Sequence, residues 1–383
     1  MTKNENDDVK WKHSLYTGDG RFGDLSNSKQ EVEDFAWPVV KGLLSSIPFT
    51  TGHGPFVICD YGAADGISSI SLMKNCIDWV QKTYGENQQV HIIYEDLPNN
   101  DFNSLIGVVE GWRYDVPGSL LDQKNVFVTC CGRTFYKQCL PDASVHLGIS
   151  LLALMWSSVC PDVTSSEVFS VHFVKGSPEH RVFEVQSARD WETFLLHRAK
   201  ELVPGGRLAI QTVGRETCPC TGPGSDVWCM TRSMSDIWSD MMNEEYITEA
   251  EYLATIEPYY YHTEEALCAA FKDTSSPIRQ SGLRLLAIET HNIKCLWRDR
   301  WMRSIKQDDA AAKKHALSFV QWIRTWSNRT FTTGLSSDRN SEEKENILDE
   351  MFSRLVDQVA IAPADRGYSR VDHFVSVAKI GEV

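Results

Sequence analysis

The chain has 383 residues, 42% hydrophobic and 23% charged, with a formal net charge of -14. These proportions fit one large globular domain, or a core with an added cap, and exclude a disordered or fibrous chain. The acidic balance argues against a phosphate-backbone partner, so no nucleic acid is expected. Met1 to Lys10 is polar and acidic, and no apolar run approaches the roughly 20 residues of a membrane span. A cytoplasmic protein without signal peptide or membrane segment is the expectation. Its 11 scattered cysteines suit free thiols in a reducing compartment.

The first strong signal is Phe56-Val-Ile-Cys-Asp-Tyr-Gly-Ala-Ala-Asp-Gly-Ile-Ser-Ser69. Phe56 to Asp60 reads as a buried strand, and Gly62, Ala63, Ala64 and Gly66 clear side chains from its carboxyl end, where open α/β folds bind ligands. Asp60 and Asp65 place negative charge where a dinucleotide would put its pyrophosphate. The spacing is also not Gly-x-Gly-x-x-Gly, so an NAD-dependent dehydrogenase is disfavoured. S-adenosylmethionine, with a sulfonium, an ammonium and no phosphate, suits an acidic turn better.

Ile67 to Tyr84 reads as a helix and Val90 to Glu95 as a second strand, ending in Asp96, where a carboxylate can accept both hydroxyls of a ribose while Leu97 lies against adenine. Val126 to Cys130 reads as a third strand, with Cys130-Cys131 as buried strand-end packing. Trp191 to Leu202 reads as a helix stopped by glycine in Leu202-Val-Pro-Gly-Gly-Arg-Leu208, before a strand over Arg207 to Thr212. Cys218-Pro-Cys220 with Cys229 lacks a fourth ligand at zinc spacing and reads as a loop. Arg284 to Thr290 reads as a further strand. Val320, Ile323 and Trp326 share one face of a helix, and Tyr259-Tyr-Tyr261 reads as packing.

This alternation predicts a doubly wound α/β core. Composition shifts to Trp, Met and acid after Glu216, and a second helical block runs from Leu296 to Arg366. Residues 1–215, 282–295 and 368–383 are therefore assigned to the core, and 216–281 and 296–367 to a helical cap over it.

Asp96-Leu-Pro-Asn-Asn-Asp-Phe-Asn103, Leu154-Met-Trp156, Glu201-Leu-Val-Pro-Gly-Gly-Arg207 and Val213-Gly-Arg215 together resemble the SABATH methyltransferases, the family of salicylate and benzoate carboxyl methyltransferases and of caffeine-pathway N-methyltransferases. The resemblance implies a Rossmann-like methyltransferase core, a helical cap enclosing the acceptor, S-adenosylmethionine as donor and a homodimer. It places donor contacts on Ser28, Gly62, Ala63, Ser68, Asp96, Leu97, Thr134 and Phe135, beside the acidic Asp60 and Asp65. Asp65 is a further candidate contact for the donor's ammonium. Two departures stand out. The family's Gly-Cys-Ser-Ser-Gly-Pro-Asn is here Gly62-Ala-Ala-Asp-Gly-Ile-Ser68, and Asp24 stands where a tyrosine is expected.

On the acceptor side Trp156 matches the tryptophan whose indole N–H holds a carboxylate, and it is the residue expected to fix the nucleophile. Met155 matches the methionine that clamps the ring. The family's glutamine position holds Glu31, with Gln30 before it, so a shift of one residue restores the amide. If Glu31 itself faces the pocket, like-charge repulsion disfavours an acidic acceptor and favours a nitrogen one. Leu152, Ile323, Trp326 and Phe374 match positions that line the ring site, implying a tight, flat pocket for a small aromatic or heteroaromatic acceptor. Val174 and Ile256 stand near the caffeine branch's magnesium ligands, so no metal is expected. Three readings remain open: carboxyl O-methylation, N-methylation of a ring or amine nitrogen, and a methyltransferase-like binding protein without turnover.

Overall fold

A computed structural model describes residues 32–113, 118–215 and 225–380. Seven strands form one sheet: β1 (Phe56–Tyr61), β2 (Val90–Asp96), β3 (Val126–Gly132), β4 (Val145–Leu151), β5 (Leu202–Val213), β6 (Leu283–Ile293) and β7 (Arg370–Lys379). Their order is β3-β2-β1-β4-β5-β7-β6, with β7 antiparallel to both of its neighbours and the first five strands parallel. The strand order reverses between β1 and β4, and a crevice opens there beyond the carboxyl ends of the parallel strands.

The central strands are apolar runs because helices cover both faces. On one face α1 (Trp37–Leu44), α2 (Ile67–Tyr84) and α3 (Phe102–Val109) bury Ile58, Ile92, Leu147 and their neighbours. On the other, α4 (Pro178–Glu201), α7 (Glu264–Lys272) and the short α8 (Pro277–Gln280) pack over Tyr61, Leu208, Ile210 and Val377. A separate apolar cluster joins α5 (Asp226–Asn243), α6 (Glu249–Ala254), α9 (Leu296–Arg303), α10 (Asp309–Gly334) and α11 (Ser341–Ile361) around Trp238, Phe319 and Phe331. Among the described residues, no helix is long and apolar enough to cross a membrane.

The five expected strands and the helix over Ile67–Tyr84 are all present. Strands β4 and β7 are additions to the expected set. Helix α4 begins at Pro178, thirteen residues before the expected Trp191, because Ser177 caps it through a 3.2 Å bond from the His180 N–H. Glycine does not stop this helix. Leu202 is already extended, and Gly205, with φ +83°, turns the chain where an added Cβ would lie 2.3 Å from Pro48. Cys130 and Cys131 are exposed and half-buried respectively, not core, because β3 is an edge strand.

Candidate active site

The turn after β1 is held open by backbone geometry. Gly62 takes φ +80°, and a Cβ there would lie 2.5 Å from the Ala153 Cβ and 3.1 Å from the Phe135 ring. Ala64 is left-handed at φ 51°, and it is clamped on both sides. Its N–H donates to Asp96 Oδ2 at 2.7 Å, and its carbonyl accepts from Asn100 Nδ2 at 2.7 Å. Asp101, next in the same motif, caps α3 by accepting from the Ser104 N–H at 3.1 Å. The Asp-Leu-Pro-Asn-Asn-Asp segment thus fastens the second strand's end to the first strand's turn.

One cavity runs from this turn into the cap. Asp60, Gly62, Ala63, Ser68, Asp96, Leu97, Thr134 and Phe135 line its sheet end, and Leu152, Met155, Trp156 and Trp326 line its cap end, so the structure brings these expected residues together. Three expected residues lie off its wall. Asp65 is buried within its own turn, its Oδ1 accepting from the Ile67 N–H at 3.3 Å. Ile323 points into the cap core, because the cavity side of α10 is formed by Trp322 and Trp326, one turn apart. Phe374 packs against Phe35 at 6.2 Å, four residues or about 13 Å along β7 from the cavity end. Ser28, Gln30 and Glu31 fall outside the described residues, as do Cys218 and Cys220.

Several lining residues were not singled out as site residues from sequence. Trp156 meets Tyr259 edge-on at 5.6 Å, Tyr259 stacks on Tyr261 at 4.8 Å, and Tyr261 shares a 3.3 Å hydroxyl contact with Tyr368. Tyr368 in turn lies 5.3 Å from Trp322 and 5.5 Å from Trp326. Tyr259 and Tyr261 are therefore cavity wall as well as packing. An antiparallel bridge between Trp156 and Tyr259, and a 2.6 Å bond from the Tyr136 hydroxyl to the Trp156 carbonyl, fix the indole's backbone. Arg370, at the start of β7, also lines the cavity, with Nε 2.9 Å from Asp372 Oδ1. Its sequence signal is the mixed run Arg370-Val-Asp-His373, which does not read as a buried strand.

The sheet end is strongly acidic, and its carboxyl groups are buried. Burial raises the Asp60 carboxyl to about 7 and that of Asp96 to about 6. Glu95, also on the wall, is pushed well up by burial and by the neighbouring Asp96 charge. Asp60 Oδ2 and Glu95 Oε1 are buried with no hydrogen-bond partner among the described residues. Unpaired carboxylate oxygens around a glycine turn suit a cationic ligand and oppose an anionic one. At the cap end, Trp326 Nε1 is a buried donor without a partner among the described residues.

Comparison with known proteins agrees with this geometry. Residues 15–379 match the family described as SAM-dependent carboxyl methyltransferase. The chain belongs to that family. Among its relatives, gibberellic acid methyltransferase 2 of Arabidopsis thaliana is 25% identical over 280 residues, 67% of this chain and 71% of that one. Anthranilate O-methyltransferase 2 of Zea mays is 25% identical over 265 residues, 64% and 70% of the two chains. The structure of loganic acid methyltransferase with S-adenosylhomocysteine superposes with a TM-score of 0.72 at 19% identity, covering 96% of this chain and 99% of the other. The SABATH resemblance read from the motifs is thereby established, and with it the carboxyl methyltransferase family's donor, S-adenosylmethionine. The acidic turn, the Asp96 carboxylate and the unpaired Asp60 oxygen fit that donor's ammonium, ribose and positive charge.

Proposed function

We propose that this methyltransferase esterifies the carboxylate of a small, flat aromatic or heteroaromatic acid. The observation that carries the reading is the match of residues 15–379 to a carboxyl methyltransferase family, joined in the cavity by the buried Trp326 N–H, a donor without a partner among the described residues, on the same wall as Trp156. Arg370, 7% exposed on that wall, is tied to the buried Asp372 carboxylate, Nε to Oδ1 at 2.9 Å and Nη2 to Oδ2 at 3.1 Å, and so stiffens the wall as half of an ion pair. The flat aromatic wall from Tyr259 to Trp326 and the buried Trp326 N–H support a planar molecule bearing an oxygen to receive that bond.

The donor, when bound, supplies a methyl group on a positively charged sulfur. The chain's residues place and shield the reacting partners. Asp60 and Asp96 would hold the donor end by charge and hydrogen bonding, Glu95 braces the turn by accepting from the Gly62 N–H at 3.2 Å, and Gly62 lets the donor approach the backbone. Trp156 and Trp326 orient the acceptor oxygen, and the aromatic wall excludes water. A carboxylate is already ionised near neutral pH, so no general base is needed, and positioning supplies the rate.

The test is methyl transfer from labelled S-adenosylmethionine to a panel of aromatic acids and heteroaromatic amines. Base-labile product supports an ester, whereas base-stable product assigns N-methylation. Donor binding without transfer to any member of the panel would overturn the proposed acceptor class.

A further inference from the structure

The segment that carries two donor-end wall residues is bracketed by cysteines. Strand β3 delivers Cys131, the loop after it holds Thr134 and Phe135 against the cavity, and the chain comes back at Cys139. The two residues meet: Cys131 Sγ lies 3.7 Å from the Cys139 carbonyl oxygen, and the Cys139 thiol turns back onto the same loop, 3.4 Å from the Thr134 and Lys137 carbonyls. Both thiols are free and half-buried, so a small reagent can reach them. Cys139 is anchored from behind, its N–H donating to Glu201 Oε1 at 2.5 Å. Cys130, the adjacent thiol, points to the opposite face of the strand.

We propose that Cys131 and Cys139 form a reversible disulfide under peroxide, and that closing it reshapes the donor wall. Separately, the neighbouring Cys139 thiol and the positive charge of Arg133 and Arg198 hold the Cys131 thiol below its ordinary range, the condition for a reactive thiolate. Its sulfur attacks one peroxide oxygen, breaking the O–O bond and giving a sulfenic acid with release of hydroxide, which leaves as water. The Cys139 sulfur then attacks the Cys131 sulfur. The S–S bond forms as the S–O bond breaks, and the departing hydroxide takes the Cys139 proton. Two thiols lose two electrons and two protons, and one peroxide becomes two waters.

A disulfide needs sulfurs about 2 Å apart, closer than a thiol hydrogen bond, so the loop must tighten. Cys139 Sγ then leaves the Thr134 and Lys137 carbonyls that it touches at 3.4 Å. Phe135, whose ring rests 3.1 Å from where a Gly62 Cβ would be, moves with the loop. The effect on donor affinity rests on the proposed donor site, whereas the cross-link itself does not.

The full chain is treated with increasing equivalents of hydrogen peroxide, residual thiols are blocked, and peptides are mapped by mass. The expected first product is a Cys131–Cys139 link, lighter by two hydrogens and reversed by dithiothreitol. S-adenosylhomocysteine affinity should fall about tenfold on oxidation and recover on reduction, and both changes should vanish in Cys139→Ser and in Cys131→Ser. Prior oxidation of Cys130 or of any other cysteine, or a link to a different partner, overturns the pair. A correct link with unchanged affinity overturns its coupling to the donor wall. Failure of the reduced protein to bind S-adenosylhomocysteine at all counts against the donor site, and the mass map still decides the cross-link.

Discussion

Replacing Asp60 with asparagine tests the charge logic of the donor end. Asp60 is 2% exposed, and burial raises its carboxyl from 3.8 to about 7. At pH 6 about one-tenth of the protein carries the ionised side chain, and at pH 8 about nine-tenths. A positively charged donor that binds the ionised form is therefore held about tenfold more tightly at pH 8 than at pH 6. The ligand-free protein behaves in the opposite sense. Between pH 4 and 7 the folded state keeps the Asp60 proton and the unfolded state has lost it, so stability falls as pH rises, by up to about 4 kcal/mol for a shift of this size. Asp60→Asn removes that cost above pH 7 but buries an amide in place of the acid, returning about 1–3 kcal/mol. The variant should unfold at equal or higher urea than the parent at pH 8, bind S-adenosylmethionine at least tenfold more weakly there, and show a flatter affinity profile from pH 6 to 8. Asp96, raised to about 6, contributes the slope that remains at the acid end. Calorimetric titration at three pH values with matched urea denaturation measures both quantities. A parent affinity independent of pH, or an unchanged slope in Asp60→Asn, would refute the assignment.

Trp156→Ala should lose on the order of a hundredfold in turnover while S-adenosylhomocysteine affinity stays within twofold, because the indole lines the cap end of the cavity proposed to take the acceptor; paired kinetics and titration read this, and full activity would remove the acceptor placement. Trp326→Phe, which keeps a ring on the wall but removes the buried N–H, should raise KM for acidic acceptors about tenfold and leave donor affinity alone, a split that general destabilisation would not give. Arg198 and Glu201 pair at 2.8 Å with both side chains fully buried. Arg198→Ala leaves the carboxylate uncompensated and should cost about 3–5 kcal/mol in urea denaturation followed by tryptophan fluorescence; a loss under about 1 kcal/mol would contradict the buried-pair argument.

What could be read from sequence followed local chemistry. The strand–turn–helix around Gly62 and the strand ending at Asp96 carry their signals in adjacent residues: apolar runs, small turn residues, a terminal carboxylate. Strand β4, Val-His-Leu-Gly-Ile-Ser-Leu, was missed because Gly148 and Ser150 dilute its apolar run. Gly148 is there for packing, since a Cβ would lie 2.8 Å from Leu208 and 3.0 Å from the Tyr61 ring. Strand β7 opens Arg-Val-Asp-His, a polar pattern that describes a site rather than a buried strand. The cap end of the cavity was harder. No helical period separates a side chain facing an internal void from one facing solid core, so Ile323 and Trp322 exchange roles with nothing local to tell them apart. Tyr259, Tyr261 and Tyr368 converge from segments about a hundred residues apart, where only the tertiary fold makes them neighbours.

The place of β7 also constrains how the molecule is made. Among the described residues, strand β6 reaches the sheet only through β7, and β5 meets on that side no other strand. Residues 283–293 must therefore wait, through the whole of α9, α10 and α11, for a partner that begins at Arg370. Until then both strands present open hydrogen-bonding edges, the form in which chains pair with one another instead of with themselves. Closing such a long loop costs little more than closing a short one, so the finished fold is not weakened by it. The exposure is one of time, and it ends when the strand that brings the guanidinium to the cavity slots between its two neighbours.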